Sequence, residues 1–128
     1  MKADAKKPTE AELEILDVLW CRGRATVREV HGDLSRTKAI GHTTVLKLMQ
    51  IMTGKGLLVC DRSVRPQVFR PARSRRQTQA QLVGDLLERA FGGSAGSLVI
   101  RALSERESTP EERRRIRELL DQLEAVPR

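Results

Sequence analysis

A chain of 128 residues with 39% hydrophobic side chains has room for one ordinary domain, or for one small domain and an oligomerisation element. No run approaches the length of a membrane span and no apolar segment follows Met1 to Lys7, so no signal peptide, anchor or direct membrane insertion is expected and the chain is placed in the cytoplasm. Cys21 and Cys60 are too few and too far apart for a disulfide scaffold or a structural zinc knot, and both are expected as buried free thiols.

The net charge of +7 is uneven: residues 1 to 73 carry 14 basic and 8 acidic side chains, residues 74 to 128 carry 10 and 9. That asymmetry suggests a polyanion-binding front and a nearly neutral back. Residues 1 to 7 read as a basic arm. The first helix is expected from Pro8-Thr9, with Thr9 as N-cap and Glu12 as capping-box partner. Leu13, Leu16, Val18, Leu19 and Trp20 give it an apolar surface, with Trp20 as a core anchor rather than a ligand platform. Glu10, Glu12, Glu14 and Asp17 cluster near its start, where the helix dipole accounts for them. After Arg22-Gly23-Arg24 breaks the pattern, Thr26 and Glu29 repeat the capping box, and Val27, Val30 and Leu34 place a narrow stripe on a short second helix.

Ser35 to Gly41 is a polar connector. The stretch from Gly41 to Gly56 then reads as a third helix with Val45, Leu48, Met49 and Met52 on one face and Thr43, Thr44, Lys47 and Gln50 on the other. Hydroxyl, ammonium and amide groups at that spacing can meet phosphates and base edges, and His42, just before the helix, can reach phosphate. Gly56 stops the helix. Strands are expected over Leu57 to Cys60 and Gln67 to Pro71, with Val68 facing the core and Phe69 the opposite side or a helix. The loop between them is a wing. From Asp61 to Arg76 there are six arginines against one Asp, which is either a solvated basic surface or, beside a reading helix, a phosphate clamp using at least Arg62 and Arg65.

After Ser74 the pattern changes. Leu82, Val83, Leu86, Leu87, Ala90 and Phe91 predict a long amphipathic helix from about Arg76 to Phe91, interrupted by Gly92-Gly93-Ser94-Ala95-Gly96. A further helix carries Leu98, Val99, Ala102 and Leu103. Thr109-Pro110-Glu111-Glu112 starts the last one, which presents Ile116, Leu119, Leu120 and Leu123. Three apolar stripes with scarcely any aromatic mass make a poor isolated core, so a homodimer paired through Leu82, Leu86, Leu98, Leu103, Leu119 and Leu123 is expected. Folding of the three helices back onto the winged helix in a monomer is the other arrangement open to this pattern.

No enzyme is legible. His31 and His42 have no acidic or thiol companions at metal-ligand spacing, so no metal or other cofactor is assigned. Gly92-Gly93-Ser94 has neither the preceding strand nor the following Lys of a phosphate-binding loop, and no nucleophile and base are paired. The fold class is therefore mainly α with a small antiparallel β wing: a winged helix-turn-helix over 1 to 73 and a helical dimerisation region over 74 to 128. Double-stranded DNA is the expected partner. The competing reading is a protein-interaction module on the same scaffold, without specific DNA binding.

Pro8-Thr9, Glu12-Leu13, Leu19-Trp20, Thr26-Val27-Arg28-Glu29-Val30, Thr43-Thr44-Val45, Lys55-Gly56-Leu57 and the wing strand together resemble the penicillinase and methicillin-resistance repressor family (BlaI/MecI). The likeness continues through Ser97-Leu98-Val99 and the Thr109-Pro110-Glu111-Glu112 helix. It implies a homodimeric winged-helix repressor on a palindromic promoter operator, with a membrane sensor or peptidase as a further partner that relieves repression by cleavage in the dimerisation region. Departures are His42 and Phe69 where the family commonly has tyrosine, and Ile51 where it often has arginine. Gly93 to Ser97 lacks the bulky residue seen beside the family's processed bond. The copper-responsive relatives' cysteine-rich hook has no counterpart in Glu124 to Arg128, so copper sensing by that route is not expected.

Overall fold

Thr9 and Thr26 start the first two helices in the same way. For α1 (Glu10–Arg22), the Thr9 hydroxyl accepts the Glu12 backbone N–H at 3.2 Å while the Glu12 carboxylate accepts the Thr9 N–H at 2.9 Å. For α2 (Val27–Leu34) the same reciprocal pair joins Thr26 and Glu29, at 3.1 and 2.9 Å. Each box satisfies two N–H groups at a helix start that has no intrahelical partners for them, at about 1 kcal/mol per cap. The computed structural model describes residues 7 to 125; the expected basic arm lies outside them except for Lys7.

The remaining elements follow as α3 (His42–Gly54), β1 (Leu58–Asp61), β2 (Val68–Pro71), α4 (Arg75–Ala90), α5 (Ala95–Glu105) and α6 (Pro110–Ala125). This is the expected mainly helical chain with an antiparallel two-stranded wing. It divides into two compact units between Val83 and Gly84.

In the first unit the core gathers Ile15, Leu16 and Leu19 from α1, Val30 and Leu34 from α2, and Val45, Met49 and Met52 from α3, closed by Leu57, Leu58 and Phe69. Full burial of such a side chain is worth roughly 1.5–3 kcal/mol, so the three residues of α3 seat that helix more firmly than any cap could. The helix then stops in a left-handed turn. Gly56, at φ +85°, donates to the Thr53 carbonyl at 3.2 Å, and Leu57 donates to Met52 at 2.8 Å. Leu57 thus belongs to the helix stop and the strand begins one residue later than expected.

The register pairs Leu58 with Pro71 and Cys60 with Phe69. Phe69 therefore shares a face with buried Leu58 and is itself buried, while Val68 on the other face is only partly covered; the expected assignment of these two side chains is reversed. Ala25 fixes that phase by exchanging backbone hydrogen bonds with Phe69 at 3.0 and 2.8 Å, a third short rung on the hairpin.

Two further expectations change. Cys21 is exposed and Cys60 half-buried, because Cys21 lies two positions past Leu19, roughly 200° round the helix from the core stripe. The carboxylates early in α1 have specific partners beyond the dipole: Lys55 for Glu12, Lys38 for Glu14 at 2.7 Å, and Arg75 for Asp17 at 3.7 Å. Trp20 packs on the edge of the core, half-buried, with its indole N–H donating to the Arg73 carbonyl at 3.0 Å.

In the second unit, Gly92 and Gly93 (φ +56° and +80°) make the turn after α4, and Gly93 donates to the Leu87 carbonyl at 2.8 Å. The break is shorter than the sequence suggested. Ser94 caps α5 by accepting the Ser97 N–H at 3.1 Å, so Ala95 and Gly96 lie in its first turn. Thr109 and Glu112 form the expected box at the start of α6.

Candidate nucleic-acid interface

Helix α3 divides sharply by face. Val45, Met49 and Met52 are fully buried, whereas His42, Thr43, Thr44, Lys47 and Gln50 are all exposed. Its first turn has no acidic residue, and its N-cap Gly41 supplies no side-chain acceptor, so the positive end of the helix stays open to an anion. Ile51, 47% exposed, continues the polar surface with an apolar contact point.

Beside the start of α3, His42 meets His31 edge to face, with ring centroids 5.7 Å apart. His31 Nε2 lies 2.9 Å from the Ile40 carbonyl. A carbonyl only accepts, so that nitrogen carries the proton and the ring braces the connector leading into α3.

Two ion pairs set the pose of the three helices. Lys55, capping the end of α3, reaches both carboxylate oxygens of Glu12 at 2.8 and 2.9 Å. Burial raises the Glu12 carboxyl, but the Lys55 hydrogen bond, the Thr9 backbone N–H and the Lys55 charge outweigh it and hold the group below its usual value. Arg22 grips Asp33 through two parallel bonds of 2.8 and 3.0 Å, tying the end of α1 to α2. The Arg22 hydrogen bond lowers the Asp33 carboxyl.

The wing projects Arg62 and Arg65 into solvent. Its one acidic group, Asp61, is exposed but engaged within its own loop, accepting from the Ser63 hydroxyl at 2.6 Å and the Ser63 N–H at 2.9 Å. Those bonds, and then the charge of Arg24, lower its carboxyl. Two clefts run between α3 and the wing, and both are lined by Gln50, Gln67 and Phe69. One also takes in Cys60 and Arg62; the other takes in His42, Leu46 and Arg28 from the first turn of α2.

Thus the seven residues proposed from sequence for DNA contact are all solvent-exposed, five on one helix and two on the adjacent loop. Arg28 and Gln67 were missed. Arg28 had a usable signal, since the first turn of the helix before a reading helix lies beside that helix's start; Gln67 had none. Arg75 leaves the basic stretch altogether, its guanidinium 5.4 Å from the centre of the Trp20 ring.

Of the leucines proposed for dimerisation, Leu86, Leu103, Leu119 and Leu123 are 42 to 58% exposed, and Leu82 and Leu98 are half-buried. Neither α5 nor α6 holds a buried residue. Among the described residues no three His, Cys, Asp or Glu side chains gather as a metal site, and no helix is long and apolar enough to cross a membrane.

Comparison with known proteins gives a consistent neighbourhood. The family model described as Penicillinase repressor matches residues 8 to 122. Two curated relatives, each named transcriptional regulator BlaI and coming from two strains of Mycobacterium tuberculosis, are 33% identical over 82 residues, covering 63% of this chain. The match spans 59% of the length of those relatives. Among solved structures, the solution structure of Bacillus licheniformis BlaI, in its monomeric form in complex with the blaP half-operator, is 25% identical with a TM-score of 0.50, over 56% of this chain and 88% of that one.

Proposed function

The chain belongs to the penicillinase repressor family, and from that membership we propose that it is a homodimeric transcriptional repressor that binds a palindromic promoter operator. The observation that carries the reading is the division of α3, where five exposed polar side chains stand opposite three fully buried apolar ones. Thr43, Thr44, Lys47 and Gln50 reach base edges or adjacent phosphates from the major groove, and His42 reaches phosphate at the helix start. Arg62 and Arg65 hold the backbone on the wing side. The similar Bacillus protein, monomeric on a half-operator, supports one head for each half-site.

The dimer half of the proposal rests on α5 and α6. Helices that hold no fully buried residue, yet present Leu103, Leu119, Leu120 and Leu123 to solvent, reach a stable state when a second copy covers them. Two linked heads then bind far more tightly than either alone. Sedimentation at micromolar concentration should give the dimer mass, and Leu119→Asp the monomer mass. Monomeric unmodified protein would reject this half of the reading.

Relief of repression is assigned to the turn from Phe91 to Ser94. A peptidase activated by a membrane sensor and cutting there would release heads lacking most of the pairing leucines, and each would leave the DNA once the two-site advantage is gone. Intact mass in extracts after cell-wall stress tests this step. A repressor that leaves its promoter at full length would overturn it. The operator and the regulated genes are found together by selecting bound fragments from genomic DNA; enrichment of no site would count against a repressor and favour the protein-interaction reading.

A further inference from the structure

The segment joining the wing to α4 is held at every residue. Ala72 donates to the Leu57 carbonyl at 2.9 Å, the Arg73 carbonyl accepts the Trp20 indole N–H at 3.0 Å, and Ser74 exchanges bonds of 2.9 and 3.1 Å with Gln77 as the cap of α4. In the first turn, Arg75 stacks over the Trp20 ring at 5.4 Å and reaches Asp17 at 3.7 Å. One turn later Thr78 is 5% exposed. A free linker would be rich in Gly and Ser and unpaired. This one is fastened to α1 through the chain's single Trp.

We propose that Trp20 and Arg75 are positioning residues that fix the heading of α4 and so set the half-site spacing at which two copies of this chain can bind one duplex, an inference that rests on the dimeric operator reading above. Neither side chain lines the clefts between α3 and the wing. The link is mechanical. α1 shares a core with α3 and is bonded to it through Glu12 and Lys55, so the start of α4, fastened to α1 within the first unit, is tied to the same core as α3. α4 carries Leu82 and Leu86, the first leucines proposed for pairing. One inserted base pair moves a half-site by about 3.4 Å and turns it by roughly 35°. Heads on a fixed helix cannot follow that turn, whereas heads on a loosened joint can.

The test uses the full chain on duplexes carrying the palindrome footprinted in its own promoter, with zero, one or two base pairs inserted at the centre, and on a duplex with a single half-site. Wild type should lose about tenfold or more in affinity per inserted base pair as the two-site advantage fails. Trp20→Phe, which keeps an aromatic side chain but removes the N–H and part of the indole's bulk, and Arg75→Gln, which removes the charge stacked on that ring and paired with Asp17, should each lose less than about threefold. At a temperature where circular dichroism shows both variants fully folded, their single half-site affinity should equal that of wild type. Variants with the wild-type spacing profile would overturn the proposal, as would a fall in half-site affinity with the profile unchanged. A wild type indifferent to spacing would overturn it while leaving operator binding intact; a wild type that binds no half-site specifically would reject the operator reading itself.

Discussion

Lys55 Nζ lies 2.8 and 2.9 Å from the two carboxylate oxygens of Glu12, so the residue that caps α3 is bonded to the first turn of α1. The Glu12 side chain is 3% exposed and that of Lys55 22%. Removing one partner leaves the other charge buried and unpaired. Lys55→Met should therefore lower the unfolding free energy by about 3 kcal/mol. Adding Glu12→Gln, which keeps the capping geometry, should recover part of that loss. Urea unfolding reads both, and an unchanged midpoint for Lys55→Met would mean that the pair does not hold α3.

The same pair gives a signed dependence on pH. Glu12 is held below its ordinary value of 4.5, with burial opposing and the Lys55 and Thr9 bonds prevailing. A depressed carboxylate contributes stability that is fully present above pH 4.5 and lost as the pH falls through its lower folded-state value. Wild type should thus lose stability on acidification below about pH 4.5. Lys55→Met, in which only the Thr9 bonds remain to oppose burial at Glu12, should lose less over the same range. Parallel curves for the two proteins would contradict the assignment.

Two neighbouring glycines should respond in opposite directions. Gly56 sits at φ +85° with nothing within 4 Å of an added Cβ, so Gly56→Ala meets only backbone strain, roughly 1–2 kcal/mol of destabilisation. Gly54, the last residue of α3 with equal space around it, should gain up to about 0.5 kcal/mol on becoming Ala. Thermal melts of the two variants check the pair.

The contrast shows what the sequence could and could not reveal. Thr9 with Glu12, Thr26 with Glu29 and Thr109 with Glu112 are legible because each capping box closes over three residues. The two faces of α3 are legible because thirteen residues give the helical period several turns to repeat. A four-residue strand gives period two almost no room, and the side on which Phe69 lies is decided by Ala25, 44 positions earlier. Glu12 with Lys55 and Trp20 with Arg73 are likewise partners across the fold, 43 and 53 residues apart, with no local signature. Arg75 looked like one more wing arginine until the fold placed it over Trp20.

On DNA, residues of α3 and of the wing should fail differently. Lys47→Ala should weaken binding to the operator roughly ten- to hundredfold while hardly changing binding to unrelated duplex. Arg62→Ala and Arg65→Ala should weaken both alike, each reducing the salt slope by about one unit. Competition binding at several salt concentrations separates the two patterns. Loss of specificity in Arg62→Ala, with none in Lys47→Ala, would exchange the roles given to helix and wing.

The most direct measurement is the affinity of the full chain for its own promoter duplex and for a scrambled duplex of equal length and composition, each from low to physiological salt. The account predicts a strong preference for the promoter at physiological salt, with affinity for both duplexes falling on a log–log slope near 0.9 for each phosphate contact released. Equal affinity for the two duplexes, or a response flat in salt, would contradict it.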